Sequence, residues 1–295
     1  MFCVPSFTCQ FTHVYGRVSF TRKSEIIRTK QKCNLKLTRG RKMEKQEIST
    51  FDLLIQTHVG LKRQGPGSPE MTIRALRYVE HLDENSRIAD LGCGTGGQTM
   101  VLAQNTTGQI TGVDMIPEFI DVFNKNTKEL HLENRVTGIV GSVEELPFEQ
   151  EELDLIWSEG VIDGIGFEKG LTYWNQFLKK DGYVAVTCPS WFTDERPSEV
   201  DKFWTDAGSG LDTVEQNLSA LKKAGYQFVA AFILPETCWT EQYFIPREEA
   251  EKALLQKYAG DKTVAAYIEG DQYEVELYNK YKQQYGYVFY IGKKI

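Results

Sequence analysis

From residue 87 onward the apolar positions alternate between two spacings. Short runs rich in β-branched residues recur at about 87–91, 110–114, 136–140, 153–158 and 183–188. Between them lie stretches at about 97–105, 117–130 and 168–179 whose apolar residues recur at helical spacing. In the last of these, Leu171, Trp174, Phe177 and Leu178 share one face, which marks Trp174 as core rather than ligand contact. Strand–helix alternation predicts right-handed crossovers and a parallel sheet covered on both faces. After Pro189 the pattern changes. A helix is expected at about 212–224, a strand at about 227–234, and a last strand at Tyr287-Val288-Phe289-Tyr290-Ile291. Residues 236–284 form an insertion before that last strand, an aromatic loop followed by two Tyr-rich helical runs. The expected fold is α/β, a seven-stranded, mostly parallel sheet with helices on both faces.

Upstream, Phe51-Asp52-Leu53-Leu54-Ile55 and His58-Val59-Gly60-Leu61 read as a short amphipathic helix, followed by a loop, Lys62-Arg63-Gln64-Gly65-Pro66-Gly67. Ser68-Pro69 is a helix start, with Ser as N-cap and Pro where no N–H is needed. That helix is expected to reach about Leu82 with Met71, Ile73, Ala75, Leu76 and Val79 inward. The chain divides into 1–42, 43–85 (helices and loop), 86–189 (core) and 190–295, the C-terminal part of the same domain.

The densest chemical signal is Ile88-Ala89-Asp90-Leu91-Gly92-Cys93-Gly94-Thr95-Gly96-Gly97-Gln98. A strand ends in a carboxylate, a glycine turn follows, and a helix begins. Such a turn admits a ligand close to the backbone. The spacing fits both G-x-G-x-x-G and G-x-G-x-G, while the absence of Gly-Lys-Ser/Thr excludes a P-loop. Asp114 closes the next strand at the offset of an acid that binds ribose hydroxyls, so an adenosine-bearing cofactor is expected.

Asp90-Leu91-Gly92-Cys93-Gly94-Thr95-Gly96 resembles the first motif of class I S-adenosylmethionine-dependent methyltransferases. Leu146-Pro147-Phe148 and Leu153-Asp154-Leu155-Ile156 fall where that family has similar segments, so the resemblance covers about 86–189. Lys62-Arg63-Gln64-Gly65-Pro66-Gly67-Ser68, Trp157-Ser158-Glu159-Gly160 and Cys238-Trp239-Thr240-Glu241 are similar to bacterial small-molecule methyltransferases distantly related to ubiquinone/menaquinone C-methyltransferases. The resemblance implies a Rossmann-like fold with an antiparallel last strand, and S-adenosyl-L-methionine as cofactor with S-adenosyl-L-homocysteine as product. It implies that Asp90, Gly92, Cys93, Gly94 and Gly96 line the methionine end, that Asp114 takes the ribose and that Met115 packs on adenine. Ser142-Val143 stands where the family commonly has an Asp for the adenine amino group, a departure that weakens this contact. Loop 62–67 becomes a candidate lid, with Arg63 available for the methionine carboxylate. Glu159, after the fourth strand, is the candidate general base, and Trp191, Trp239, Tyr243 and Phe244 are candidates to shape the acceptor pocket. Asp163 lies four residues beyond Glu159, between glycines, and is assigned no role.

Composition narrows the alternatives. Residues 1–42 hold ten Lys/Arg against Glu25 alone, which leaves the remainder at net −16 within an overall −7. So acidic a body is poorly suited to sequence-independent nucleic-acid binding. Residues 1–42 read as a targeting segment, a basic arm, or sequence upstream of a true start at Met43. No apolar run reaches the ~18 residues of a membrane span. The six cysteines include no C-x-x-C pair, and the four histidines are scattered, so no metal is expected and a reducing cytoplasm suits the thiols. The expected partner is a small, planar or apolar acceptor, without nucleic acid or stable membrane insertion; a homodimer stays open. Two rival readings remain: a nicotinamide-dependent oxidoreductase, which shares the glycine turn and Asp114, and a non-catalytic regulator that binds S-adenosyl ligands.

Overall fold

A computed structural model describes residues 48–295; the readings of 1–42, including a start at Met43, lie outside the described residues. Parallel strands β1 (Arg87–Leu91), β2 (Gln109–Asp114), β3 (Val136–Val140), β4 (Leu153–Glu159) and β5 (Leu178–Trp191) are separated by helices, as the apolar spacing requires, except between β3 and β4, which a loop joins. The last long strands are β7 (Tyr226–Ile233) and β8 (Tyr285–Lys294). The strand order is β3-β2-β1-β4-β5-β8-β7, and β8 runs antiparallel to both neighbours. A further two-residue strand, β6 (Asp212–Thr213), pairs with Ser190 and Trp191, so the expected seven strands become eight.

The helices are α1 (Thr50–His58), α2 (Pro69–Leu76), α3 (Gly97–Asn105), α4 (Pro117–Glu129), α5 (Ile162–Ile165), α6 (Phe167–Asn175), α7 (Ser198–Asp206) and α8 (Val214–Lys223). The starts of α1, α2 and α8 carry side-chain caps. Ser49 Oγ accepts from the Asp52 N–H at 3.1 Å, Ser68 Oγ from Met71 N–H at 3.2 Å, and Thr213 Oγ1 from Gln216 N–H at 3.1 Å. Several expected boundaries shift. Helix α2 ends at Leu76 rather than Leu82, and the chain passes through His81 at φ +63°. Val79 still packs on the core, but from an irregular segment, because helical spacing of apolar residues does not require a helix. Helix α6 stops at Asn175, so Phe177 and Leu178 are buried from a turn and from β5.

The aromatic loop expected at the start of the insertion is helical instead. Helix α9 (Thr237–Trp239) leads through a π-helical turn at Thr240–Phe244 into α10 (Ile245–Lys257), and α11 (Lys262–Tyr281) returns to β8. Pro246 has no N–H for the carbonyl of Gln242, which accounts for the widened turn just before it. Arg247, 1% exposed, joins α10 to α11 through Glu274 at 2.7 Å and the Asp271 carbonyl at 2.9 Å, and pairs within α10 with Glu251 at 3.1 Å. Burial pushes the Asp271 carboxyl up to about 8. Among the described residues, no helix is long and apolar enough to cross a membrane.

One packing contact sets how α4 lies on the sheet. The Phe123 ring sits over Gly96, Gly112 and Gly138, and a Cβ built on these would approach it at 2.9, 2.7 and 2.5 Å. Gly138→Ala is therefore expected to destabilise the protein by about 1–3 kcal/mol. Gly60→Ala, with nothing within 4 Å of its Cβ, should be nearly neutral. Urea midpoints of the two variants check this, and Phe123→Leu should restore part of the Gly138→Ala loss.

Candidate functional site

The strand order reverses between β1 and β4, and the carboxyl ends of β1, β2 and β4 converge on one edge. Ligands of open α/β sheets bind at such a reversal. Here β1 runs into the glycine turn. Gly94, at φ +53°, donates its N–H to Asp114 Oδ2 at 3.0 Å, and the Ile116 N–H donates to Oδ1 at 2.9 Å. Asp114 is 3% exposed, and burial raises its carboxyl to about 6.

A cavity of about 40 Å³ lies at this edge. Of the expected cofactor residues, Arg63, Gly92, Gly94 and Asp114 line it, and so does Glu159. Gln64, Gln98, Phe119, Gly160 and Val161 line it too, and sequence reasoning had singled out none of them for this. The remaining expected contacts lie elsewhere. Asp90 is fully buried behind the turn, where it accepts from Thr99 Oγ1 at 2.5 Å and Gln98 Nε2 at 3.3 Å. It thereby holds the first turn of α3. Burial, reinforced by the charge of Glu159, raises its carboxyl to about 7. Cys93 is buried against the backbone of Gly112, and burial drives its thiol pKa up. Gly96 caps α3 at φ +92° under Phe123. Met115 is half-buried beside Asp114, Ser142 Oγ accepts from the Glu144 N–H at 3.1 Å, and Val143 is in the core.

Loop 62–67 closes directly on the glycine turn. Gln64 Oε1 accepts from the Thr95 N–H at 2.9 Å, and Gln64 Nε2 donates to Thr95 Oγ1 at 2.9 Å. A Cβ on Gly94 would stand 2.0 Å from Gln64 Oε1, and one on Gly97 would stand 2.1 Å from the Lys62 carbonyl oxygen. The missing side chains therefore admit the loop as well as any ligand. Arg63, 6% exposed, donates from Nη1 to Glu159 Oε2 at 2.7 Å and from Nη2 to Thr72 Oγ1 at 2.7 Å. Ligand pockets commonly measure about 300–1,000 Å³, so a cofactor-sized molecule enters only if this loop moves. The sequence marked Gln64 only as part of a motif, and nothing in it marked Thr72.

Glu159 departs from the picture of a free base. Its Oε1 accepts from Trp157 Nε1 and Thr72 Oγ1, both at 2.9 Å, while Oε2 faces Arg63. Three donors, one of them a guanidinium, already hold it. Nor do the candidate acceptor-pocket aromatics line this cavity. Trp191, Trp239 and Tyr243 are each 1% exposed, and Phe244 is also buried among them. Trp239 stacks on Tyr278 at 4.2 Å, and the Tyr243 hydroxyl accepts from Arg247 Nη1 at 2.9 Å. They form an aromatic core under the insertion, because each ring finds a ring partner before it finds a cavity.

Comparison with known proteins bears on the family and the fold. Residues 82–260, more than half of the chain, match the methyltransferase domain family. The chain is 30% identical over 191 residues to an arsenite methyltransferase of Halobacterium salinarum, covering 62% of this chain and 45% of that one. It is 22% identical over 183 residues to a sterol 24-C-methyltransferase of Candida albicans, covering 58% and 48%. The chain thus spans about half the length of the curated relatives it matches. A crystal structure of a SAM-dependent methyltransferase from Thiobacillus denitrificans in complex with S-adenosyl-L-homocysteine shares the fold. Its TM-score is 0.72 at 19% identity, over 82% of this chain and 98% of that one.

The buried carboxylates carry a pH signature. Asp90 binds its proton more tightly folded, at about 7, than in an unfolded chain near 3.9. Its contribution is complete below pH about 4 and is lost as pH rises through about 7, on the order of 4 kcal/mol in all. Asp90→Asn is expected to flatten this loss. Urea unfolding of parent and variant at pH 5 and pH 8 checks it: equal pH dependence would reject the assignment.

Proposed function

This chain belongs to the methyltransferase domain family, and on that premise we propose that it transfers a methyl group from S-adenosyl-L-methionine to a small-molecule acceptor. The observation that carries the reading is Asp114. It stands at the end of β2 on the cavity wall, and each of its oxygens takes one backbone N–H. A carboxylate oxygen accepts about two hydrogen bonds, so each keeps capacity for a ribose hydroxyl. The backbone bonds fix the carboxylate plane before any ligand arrives, which is the arrangement a bidentate diol contact needs. Met115, half-buried next along the chain, offers an apolar surface to adenine, and Ser142 a hydroxyl near its rim.

Bound S-adenosyl-L-methionine supplies an activated methyl on a sulfonium. The protein's share is placement and exclusion of water, and placement alone can supply much of such a barrier reduction. Loop 62–67 provides the exclusion through Gln64 and Thr95. Arg63 provides a fixed cation for a carboxylate, its guanidinium held by Glu159 and Thr72. We therefore assign Glu159 to positioning Arg63 rather than to removing a proton. The buried free thiols of Cys93, Cys188 and Cys238 suit a reducing cytoplasm, where we place the protein.

Calorimetric titration with S-adenosyl-L-methionine and with NADH tests the cofactor, and transfer of labelled methyl to cell-extract metabolites tests the reaction. Binding of NADH alone would overturn the reading; binding without transfer would favour a regulator. Asp114→Ala should weaken cofactor binding by about 1–3 kcal/mol, the scale of hydrogen bonds to a charged group. Unchanged affinity would remove Asp114 from the site. Glu159→Gln should weaken cofactor binding and turnover together, measured as Kd and kcat. A fall in kcat alone would return Glu159 to the role of base.

A further inference from the structure

A second cavity, of about 310 Å³, opens at the same edge of the sheet beyond the ends of β4 and β5. Asp163, Cys188, Ser209, Asp212 and Asn217 line it, with glycines on either side of Ser209, and no lysine, arginine or histidine is on its wall. It adjoins the first cavity along the chain: Gly160 and Val161 wall the first, and Asp163 and Gly164 the second.

Two buried oxygens on this wall have no partner, Asp163 Oδ1 and Asn217 Oδ1. Asn217 is 1% exposed. Ser190 Oγ lies 3.2 Å from the Cys188 carbonyl and shares a 2.8 Å hydrogen bond with the Tyr290 hydroxyl. Asn217 Nδ2 donates to Ser190 Oγ at 3.1 Å and to the Tyr290 hydroxyl at 3.3 Å, which leaves its amide oxygen as the end without a partner. Asp163 uses only Oδ2, which accepts from Ser209 Oγ at 3.2 Å. The wall therefore carries spare acceptors and negative charge. Buried acceptors left unmatched are costly, and a ligand rich in N–H donors would satisfy both.

We propose that this cavity seats the ammonium group of an amine-bearing small molecule, the acceptor of the methyl transfer. This rests on the methyltransferase reading above and narrows it from any small acceptor to one with a protonated amine. The ammonium has three donors and one positive charge, against two orphan oxygens and the carboxylates of Asp163 and Asp212. It acts as the anchor, and no bond of the ligand changes there. Burial raises the Asp163 carboxyl to about 6, a cost that a cation beside it reverses.

The test uses the full chain saturated with S-adenosyl-L-homocysteine. Binding of that ligand is measured first; its failure would sink the methyltransferase reading itself. Primary amines of two to six carbons, their N-acetyl derivatives and the matching carboxylates are then titrated calorimetrically. The proposal expects amines to bind while the acetylated and anionic forms do not. It expects Asp163→Asn, which preserves shape, and Asn217→Ala each to weaken that binding at least tenfold, with thermal melting showing both variants folded. S-adenosyl-L-homocysteine binding without binding of any amine would overturn the amine assignment alone. Amine affinity unchanged in Asp163→Asn would overturn it as well.

Discussion

The hold of the Asp114 carboxylate on the Gly94 N–H is the contact on which the rest of the site depends. It ties the end of β2 to the turn after β1, so two strands paired along their length are also locked at their tips. That lock places the turn where α3 can start, and Asp90 secures the start from behind through Thr99. A carboxylate buried this deeply loses hydration, which explains its raised affinity for a proton. The backbone N–H groups offset part of that loss. In the function proposed above, a ligand hydroxyl would offset more.

The glycines serve two masters. Their missing Cβ atoms make room for backbone-to-ligand approach, yet in this structure Gln64, Lys62 and Val161 occupy the space beside Gly94, Gly97 and Gly92. The turn is thus a socket for the loop and, in the function proposed above, a floor for the cofactor, and the two uses compete for Gly94. Ligand entry must exchange the Gln64 contacts for contacts of its own. The Arg63–Glu159 pair is 6% and 4% exposed, so it is weakly screened, and its position is maintained by Thr72 and Trp157. A guanidinium, a hydroxyl and an indole N–H thus hold the Glu159 carboxylate in place.

The helical insertion is held by different physics. Its aromatic residues interlock around Tyr278 and Tyr285, and its one buried arginine gathers Glu251 and Glu274 from two helices. Breaking one partner of such a buried cluster would strand the others without solvent, so the insertion behaves as a single body. That rigidity lets it cover the sheet edge beside loop 62–67, where the Gly67 N–H reaches the Cys238 carbonyl at 3.4 Å.

The spacing of apolar residues by itself determined the parallel sheet, its crossovers and the glycine turn, because each follows from local periodicity and from conformations few residues tolerate. Asp114 was legible for the same reason: it ends a strand at a known offset from the turn. Helix ends were less so; Val79 and Leu178 keep a helical spacing while lying outside the helices, since burial alone sets an apolar identity. What only the tertiary structure decided was pairing across distance. Glu159 meets Arg63 from 96 positions away, Asn217 gives its nitrogen to Ser190 and Tyr290, and the tryptophans expected to greet a ligand meet tyrosines instead. These depend on which groups remain unsatisfied once every strand has found its neighbour, and that balance is a property of the packed molecule rather than of any segment.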